Sequence, residues 1–201
     1  MFDLILTAWS PLFVGNGHSY TKKEYMHDIR SGKVSFFDAQ KFFSFLVERN
    51  LVEKYTQFML SGQSSLWEFL TRDCRIPDTD LKPLTRYQVA VGDTLELREI
   101  HAFQRDAYGR AYVPGSSVKG SLRTAWLLDA VLDDTAGNHT LPPPSKNKKV
   151  AFPEEDYVNL LRLSQKQRSD AVNSIFRGIQ ISDSQPIPDE RMMLAGKFDA
   201  F

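Results

Sequence analysis

The stretch that most constrains this chain is residues 112–126, Tyr-Val-Pro-Gly-Ser-Ser-Val-Lys-Gly-Ser-Leu-Arg-Thr-Ala-Trp. Tyr112 and Val113 close a β-like run, and Pro114 and Gly115 end it. Ser116 or Ser117 stands where a helix N-cap stands, and Val118, Leu122, Ala125 and Trp126 follow at helical spacing. The sequence therefore predicts a strand, a turn and a helix from about 117 to 133. The start of such a helix aims unpaired N–H groups and the positive end of its dipole outward, which favours an anion such as a phosphate. Lys119 and Arg123 fall four residues apart, on one face of the first two turns. Two serine hydroxyls, free N–H groups, a lysine and an arginine together suit a phosphodiester backbone. A Walker A loop is excluded, because Lys119 precedes Gly120 where that motif places Lys after the second Gly. An ordinary capped strand–helix junction is the simpler alternative, but it needs a far shorter string.

The remaining sequence reads as alternating strands and helices. Phe2–Trp9 predicts a first strand, ended by Ser10-Pro11 and by a loop holding Gly15, Asn16 and Gly17, where the backbone is open to close approach. Tyr25–Ile29 and Lys33–Phe37 predict a hairpin across Arg30-Ser31-Gly32. Asp38 caps a helix burying Phe42, Phe45 and Leu46, with Phe43 off that stripe. A second helix spans about 51–60, and Ser65-Leu-Trp-Glu68 has the form of a capping box. Strands follow at Arg86–Val91, Leu95–Phe103 and Arg110–Val113, and Arg98, Arg105 and Arg110 are read as a solvated face. Ala125–Leu132 is apolar nearly all round and predicts burial on two sides. Residues 133–151 predict a mobile loop, with Pro142–Pro144 and Lys146, Lys148 and Lys149. A helix from Pro153, a strand end at 178–184 and a last strand near 191–198 complete the chain. Because the sequence stops just after a strand, it is read as a piece of a longer or split protein.

Composition limits the function. Lys+Arg and Asp+Glu both number 25 among 201 residues, so the net charge is zero. That argues against non-specific binding of nucleic acid over the whole surface and leaves room for a local basic strip. One cysteine, Cys74, excludes an intrachain disulfide and a cysteine-cluster zinc site. The N-terminus lacks the basic start and long apolar run of a signal peptide, and no segment has membrane-spanning length, so the expectation is a cytoplasmic protein with no membrane partner.

The string Pro114-Gly-Ser-Ser-x-Lys-Gly-x-x-Arg123 resembles the signature of the RAMP superfamily, the RNA-binding proteins of CRISPR systems. Ser10–Gly17, Glu24–Asp28 and Ile181–Ile187, with Lys197-Phe-Asp199, add a resemblance to one branch: the fifth subunits of the type III-A effector, the Csm complex. The resemblance covers nearly the whole chain but only the N-terminal portion of that family. It implies an α+β, ferredoxin-like or RRM-like domain over 1–180, with a helical insertion at about 38–75. Residues 181–201 then begin a second domain or form a final strand. It implies a non-catalytic RNA-binding subunit that caps the crRNA on its 3′-end side and supports crRNA maturation and antiviral defence. The implied partners are crRNA, the neighbouring Csm backbone and small subunits, and host 3′ exonucleases; no cofactor or metal is implied. The residues carried over as RNA-facing are Gly15, Asn16, Gly17, Ser116, Ser117, Lys119 and Arg123. Asp183 and Ser184 match the family motif too, but are assigned to local turn structure.

Two other functions remain open. Some RAMP relatives cut CRISPR precursor RNA with a histidine, and His18, Tyr20, Lys22 and Lys23 follow the glycine loop. The four histidines, at 18, 27, 101 and 139, are not paired by any pattern, and Asp133-Asp134 has no further metal ligand at useful spacing. An adaptor that binds only protein would suit the zero net charge and the off-stripe aromatics.

Overall fold

The computed structural model describes residues 2–62, 65–92, 97–133, 154–164 and 171–196. The chain divides into two compact units, one of residues 1–112 with 185–201, the other of residues 113–184. The class is α+β, as the sequence predicts.

The first unit contains β1 (Gly15–Thr21), β2 (Tyr25–Asp28), β3 (Lys33–Phe37), α1 (Ala39–Glu48) and α2 (Val52–Leu60). It continues with α3 (Leu66–Glu68), which runs into a π-turn at Phe69–Asp73, then α4 (Asp78–Leu81), β4 (Thr85–Val91), β5 (Glu99–Phe103) and β6 (Met193–Leu194). β2, β3, β4 and β6 form a sheet in that order; β6 runs parallel to β4 and the other pairs are antiparallel. β1 and β5 form a separate antiparallel ribbon. Alternation drives both. Tyr25, Val34, Phe36, Val89 and Ile100 turn inward and join ribbon to sheet in one apolar cluster. Phe36 stacks on Tyr87 with ring centroids 4.7 Å apart.

The expected helices between β3 and β4 form, and for the expected reasons. Asp38 Oδ1 accepts from the Lys41 N–H, and Phe42, Phe45 and Leu46 are buried while Phe43 is exposed. Ser65 and Glu68 close a reciprocal capping box, and Leu66, Phe69 and Leu70 are buried beyond it. These helices share a second cluster with Met26, Ile76, Leu81 and Leu84. Gly32 takes φ +62° in the β2–β3 turn, a conformation that favours glycine.

Several expectations fail in this unit. Residues 2–8 form no strand, and Phe2, Ile5 and Trp9 are exposed. Leu4, Ile5 and Leu6 put apolar groups on both faces, so this run needs covering on two sides, and no described strand flanks it. The strand expected at Arg110–Val113 is reduced to single bridges, Ala111 with Arg105 and with Ile187. Arg105 is not on a solvated face. Its guanidinium lies 3.6 Å from the Tyr87 ring centroid and donates to Asp189 Oδ1 at 2.8 Å and to the Gly109 carbonyl.

The second unit contains α5 (Gly115–Asp133), α6 (Glu154–Val158) and short 3₁₀ turns at Ala171–Asn173 and Ile175–Gly178. Val113, Val158 and Phe176 are buried, and the Trp126 ring meets Phe176 edge-on. Asn173 is buried and satisfied: its Oδ1 accepts from the Ser164 N–H and its amide donates to the Ser164 carbonyl. The later half of α5 is not buried on two sides: Trp126, Leu128 and Leu132 are exposed, because among the described residues of this unit only α6 and short 3₁₀ turns are available to pack against it. Residues 178–184 form no strand. The loop about 133–151, with His139, Lys146, Lys148 and Lys149, lies outside the described residues beyond Asp133, as do Asp134, Pro153 and Lys197–Asp199.

Candidate RNA-binding site

The predicted residues fall in both units, and each group is described within its own. Gly15, Asn16 and Gly17 lie not in a loop but at the start of β1. Gly15 pairs with Phe103, and the register slips between Gly15 and Ser19. The slip requires Gly17 at φ +83°, and a Cβ there would meet nothing within 4 Å. Asn16 Oδ1 accepts from the His18 N–H at 2.9 Å, closing the bulge. The result is an exposed stretch of irregular strand with its backbone open to approach.

Further along the ribbon, Ser19 faces His101, with Oγ and Nδ1 2.7 Å apart. Sequence reading missed this pair because 82 residues separate the two. His18 turns the other way: its ring packs edge-on against Tyr20, and Nε2 lies 4.0 Å from Glu24 Oε1. Lys23 is occupied structurally, since its ammonium donates to the carbonyls of Phe58, Met59 and Ser61 at the end of α2.

In the second unit, α5 begins two residues earlier than expected. Pro114 supplies the first helical carbonyl, accepting from the N–H groups of Ser117 and Val118, and Gly115 is already helical. The cap comes from a distant segment rather than from Ser116 or Ser117. Asp183 Oδ1 accepts from the Gly115 N–H at 2.9 Å. Ser184 Oγ accepts from the Val113 N–H at 2.9 Å, and the Ser184 N–H donates back to the Val113 carbonyl at 3.0 Å. Asp183 and Ser184 are thus not local turn residues; each reaches about 70 positions back along the chain to clamp the start of α5. Gly115 explains the Pro-Gly step: a Cβ on it would sit 2.0 Å from the Ile181 carbonyl oxygen.

Ser116 is exposed and Ser117 half-buried in the first turn, and Ser117 also passes its carbonyl to the Ser121 hydroxyl. Lys119 Nζ donates to the Ile179 carbonyl at 2.9 Å, and Arg123 Nε lies 2.6 Å from Glu154 Oε1, with the Arg123 and Glu154 side chains each a little under half exposed. A carbonyl leaves the Lys119 charge unneutralised. Glu154 offers Arg123 a carboxylate that a phosphate could replace, and a pair this exposed is only weakly held. Ser116, Lys119 and Arg123, at i, i+3 and i+7, therefore share one side of the head of α5, and Ser117 sits about 100° round the first turn from Ser116.

Among the described residues no cluster of three or more His, Cys, Asp or Glu could hold a metal ion, and no helix is long and apolar enough to cross a membrane.

The model of the RAMP superfamily matches residues 5–195, nearly the whole chain. The chain belongs to the RAMP superfamily. Its relatives include the CRISPR system Cms protein Csm5 of Streptococcus thermophilus, 29% identical over 213 residues, covering 98% of this chain and 55% of that protein. The Csm5 protein of Mycobacterium tuberculosis is 27% identical over 221 residues, covering 98% of this chain and 58% of its own length. This RAMP chain thus spans a little over half the length of these curated relatives. Among solved structures, a chain of a Csm–crRNA–target RNA ternary complex of a type III-A CRISPR-Cas system matches with a TM-score of 0.50 and 22% identity. That match covers 63% of this chain and 32% of the other, and bears on the fold alone.

Proposed function

We propose that this RAMP chain is the RNA-binding N-terminal part of a non-catalytic subunit of a type III-A CRISPR (Csm) effector complex. In this reading it caps the crRNA on its 3′-end side, beside the backbone and small subunits, and supports crRNA maturation by admitting host 3′ exonucleases. It works in the cytoplasm. The domain runs over about 1–180, and 181–201 lead into a second one. The observation that carries the reading is the likeness to Csm5 proteins along 98% of the chain. The head of α5 supports the mechanism, because it offers hydroxyls, an N–H, a lysine and an arginine, the groups that most often hold phosphate oxygens. RNA-facing residues are Ser116, Ser117, Lys119 and Arg123 in one unit and the open backbone of Gly15, Asn16 and Gly17 in the other. Contact with phosphates alone suits a subunit that must accept any guide sequence.

The test is Lys119→Ala combined with Arg123→Ala, with crRNA binding measured across several guide sequences and salt concentrations. The expected result is uniform weakening and a salt slope reduced by about two phosphate contacts. Loss confined to particular guides would overturn backbone recognition. Co-purified mature crRNA and Csm subunits would support membership of the complex, whereas discrete cleavage of repeat RNA abolished by His18→Ala would overturn the non-catalytic assignment.

A further inference from the structure

The segment from Ile179 to Ser184 lies antiparallel along the head of α5, and touches it at Val113, Gly115 and Lys119, on either side of Ser116 and Ser117. Ser184 pairs with Val113, Asp183 takes the Gly115 N–H, Ile181 presses its carbonyl against the Gly115 Cα, and Ile179 offers its carbonyl to Lys119. Of the four N–H groups that a helix start leaves unpaired, that of Gly115 is held by a carboxylate, and those of Ser117 and Val118 turn back to Pro114. Among the described residues only that of Ser116 makes no hydrogen bond within the chain.

From this we infer that Asp183 is the positioning residue of the RNA-contacting turn. Its carboxylate is the resident anion of the α5 N-terminus. It fixes the turn that carries Ser116, Ser117 and Lys119, and confines an incoming phosphodiester to those three side chains and the Ser116 N–H. This inference rests on the RNA-binding reading given above. It adds a sign that a purely structural cap would not have. The hydrogen bond helps binding by setting geometry, while the negative charge opposes a second anion nearby. An amide in place of the carboxylate keeps the acceptor and removes the charge.

The experiment compares Asp183→Asn and Asp183→Ala in the full chain, with a mixed-sequence single-stranded RNA as probe, at a temperature where melting curves show every variant folded. Asp183→Asn is expected to bind at least as tightly as the unaltered chain. Asp183→Ala is expected to bind about tenfold more weakly, the scale of one charge-assisted hydrogen bond. In parallel, hydrogen exchange at the Gly115 amide should stay slow in Asp183→Asn and become fast in Asp183→Ala. Equal affinities for the two variants would overturn the positioning role, and so would a Gly115 amide already unprotected in the unaltered chain. Lys119→Ala serves as the separate check on the underlying reading. If it leaves RNA affinity unchanged while Asp183→Ala still exposes the Gly115 amide, RNA recognition by this turn fails and the clamp stands as architecture only. That outcome refutes the positioning role as well.

Discussion

Replacing Gly115 by alanine would place a methyl carbon 2.0 Å from the Ile181 carbonyl oxygen, 2.6 Å from its carbon and 2.8 Å from the Ser182 oxygen. All three atoms are backbone, so no side chain can swing aside. Ordinary contact begins near 3.4 Å, which requires Ile181 and its neighbours to retreat by more than 1 Å. That movement breaks the Asp183 bond to the Gly115 N–H and strains both bonds between Ser184 and Val113. One charge-assisted bond at about 1.5–3 kcal/mol and two neutral ones at about 1 kcal/mol each give a loss of roughly 3–5 kcal/mol. Alanine's better helix propensity returns about 1 kcal/mol, since Gly115 is helical. The expected net destabilisation is therefore about 2–4 kcal/mol, read from denaturant unfolding monitored by circular dichroism. Native-state hydrogen exchange should show the opening confined to residues 113–124 and 171–184. A neutral or stabilising Gly115→Ala would refute the reasoning, because propensity alone predicts that result.

Other predictions test the scaffold. Leu70→Ala empties a fully buried position in the helical cluster and should cost about 2–5 kcal/mol in chemical denaturation. Lys23→Met keeps the aliphatic stem but takes the ammonium donor from the Met59 and Ser61 carbonyls, while the Phe58 carbonyl keeps the Ser61 N–H and hydroxyl, and should cost about 1–3 kcal/mol with faster exchange at the end of α2. At Asp106 a burial effect that raises the carboxyl's pKa is outweighed by the Arg110 backbone and side-chain hydrogen bonds, by the Arg110 charge and by the Tyr108 N–H, so its pKa is lowered. The folded form thus holds its proton less tightly than the unfolded chain. Its contribution is intact above the ordinary aspartate value of about 3.9 and is lost as pH falls through the lower folded value. The Arg110 amide shift should titrate in that acid range, and Asp106→Asn should remove the transition.

Local rules made much of the chain legible. Asp38, the Ser65–Glu68 box and the spacing of Phe42, Phe45 and Leu46 act within one or two turns, so the helices between β3 and β4 could be read directly. The string at 114–123 gave both the junction and the family resemblance because glycine and capping chemistry leave a dense mark on sequence. What could not be read depends on groups far apart. Arg105 looks solvated until Tyr87 and Asp189 are folded against it. Asp183 and Ser184 look like turn formers until α5 is seen to need an acceptor at Gly115 and Val113. Phe2–Trp9 has the pattern of a strand, but a pattern supplies only one side of a ladder; hydrogen-bonding neighbours must come from elsewhere in the tertiary structure. The sequence alone determined where the helices between β3 and β4 and α5 lie to within a turn, which residues are apolar and where Lys119 and Arg123 fall along α5. Only the tertiary structure decided what those cations and N–H groups touch, because hydrogen-bond partners are set by distance in space and leave no period along the chain.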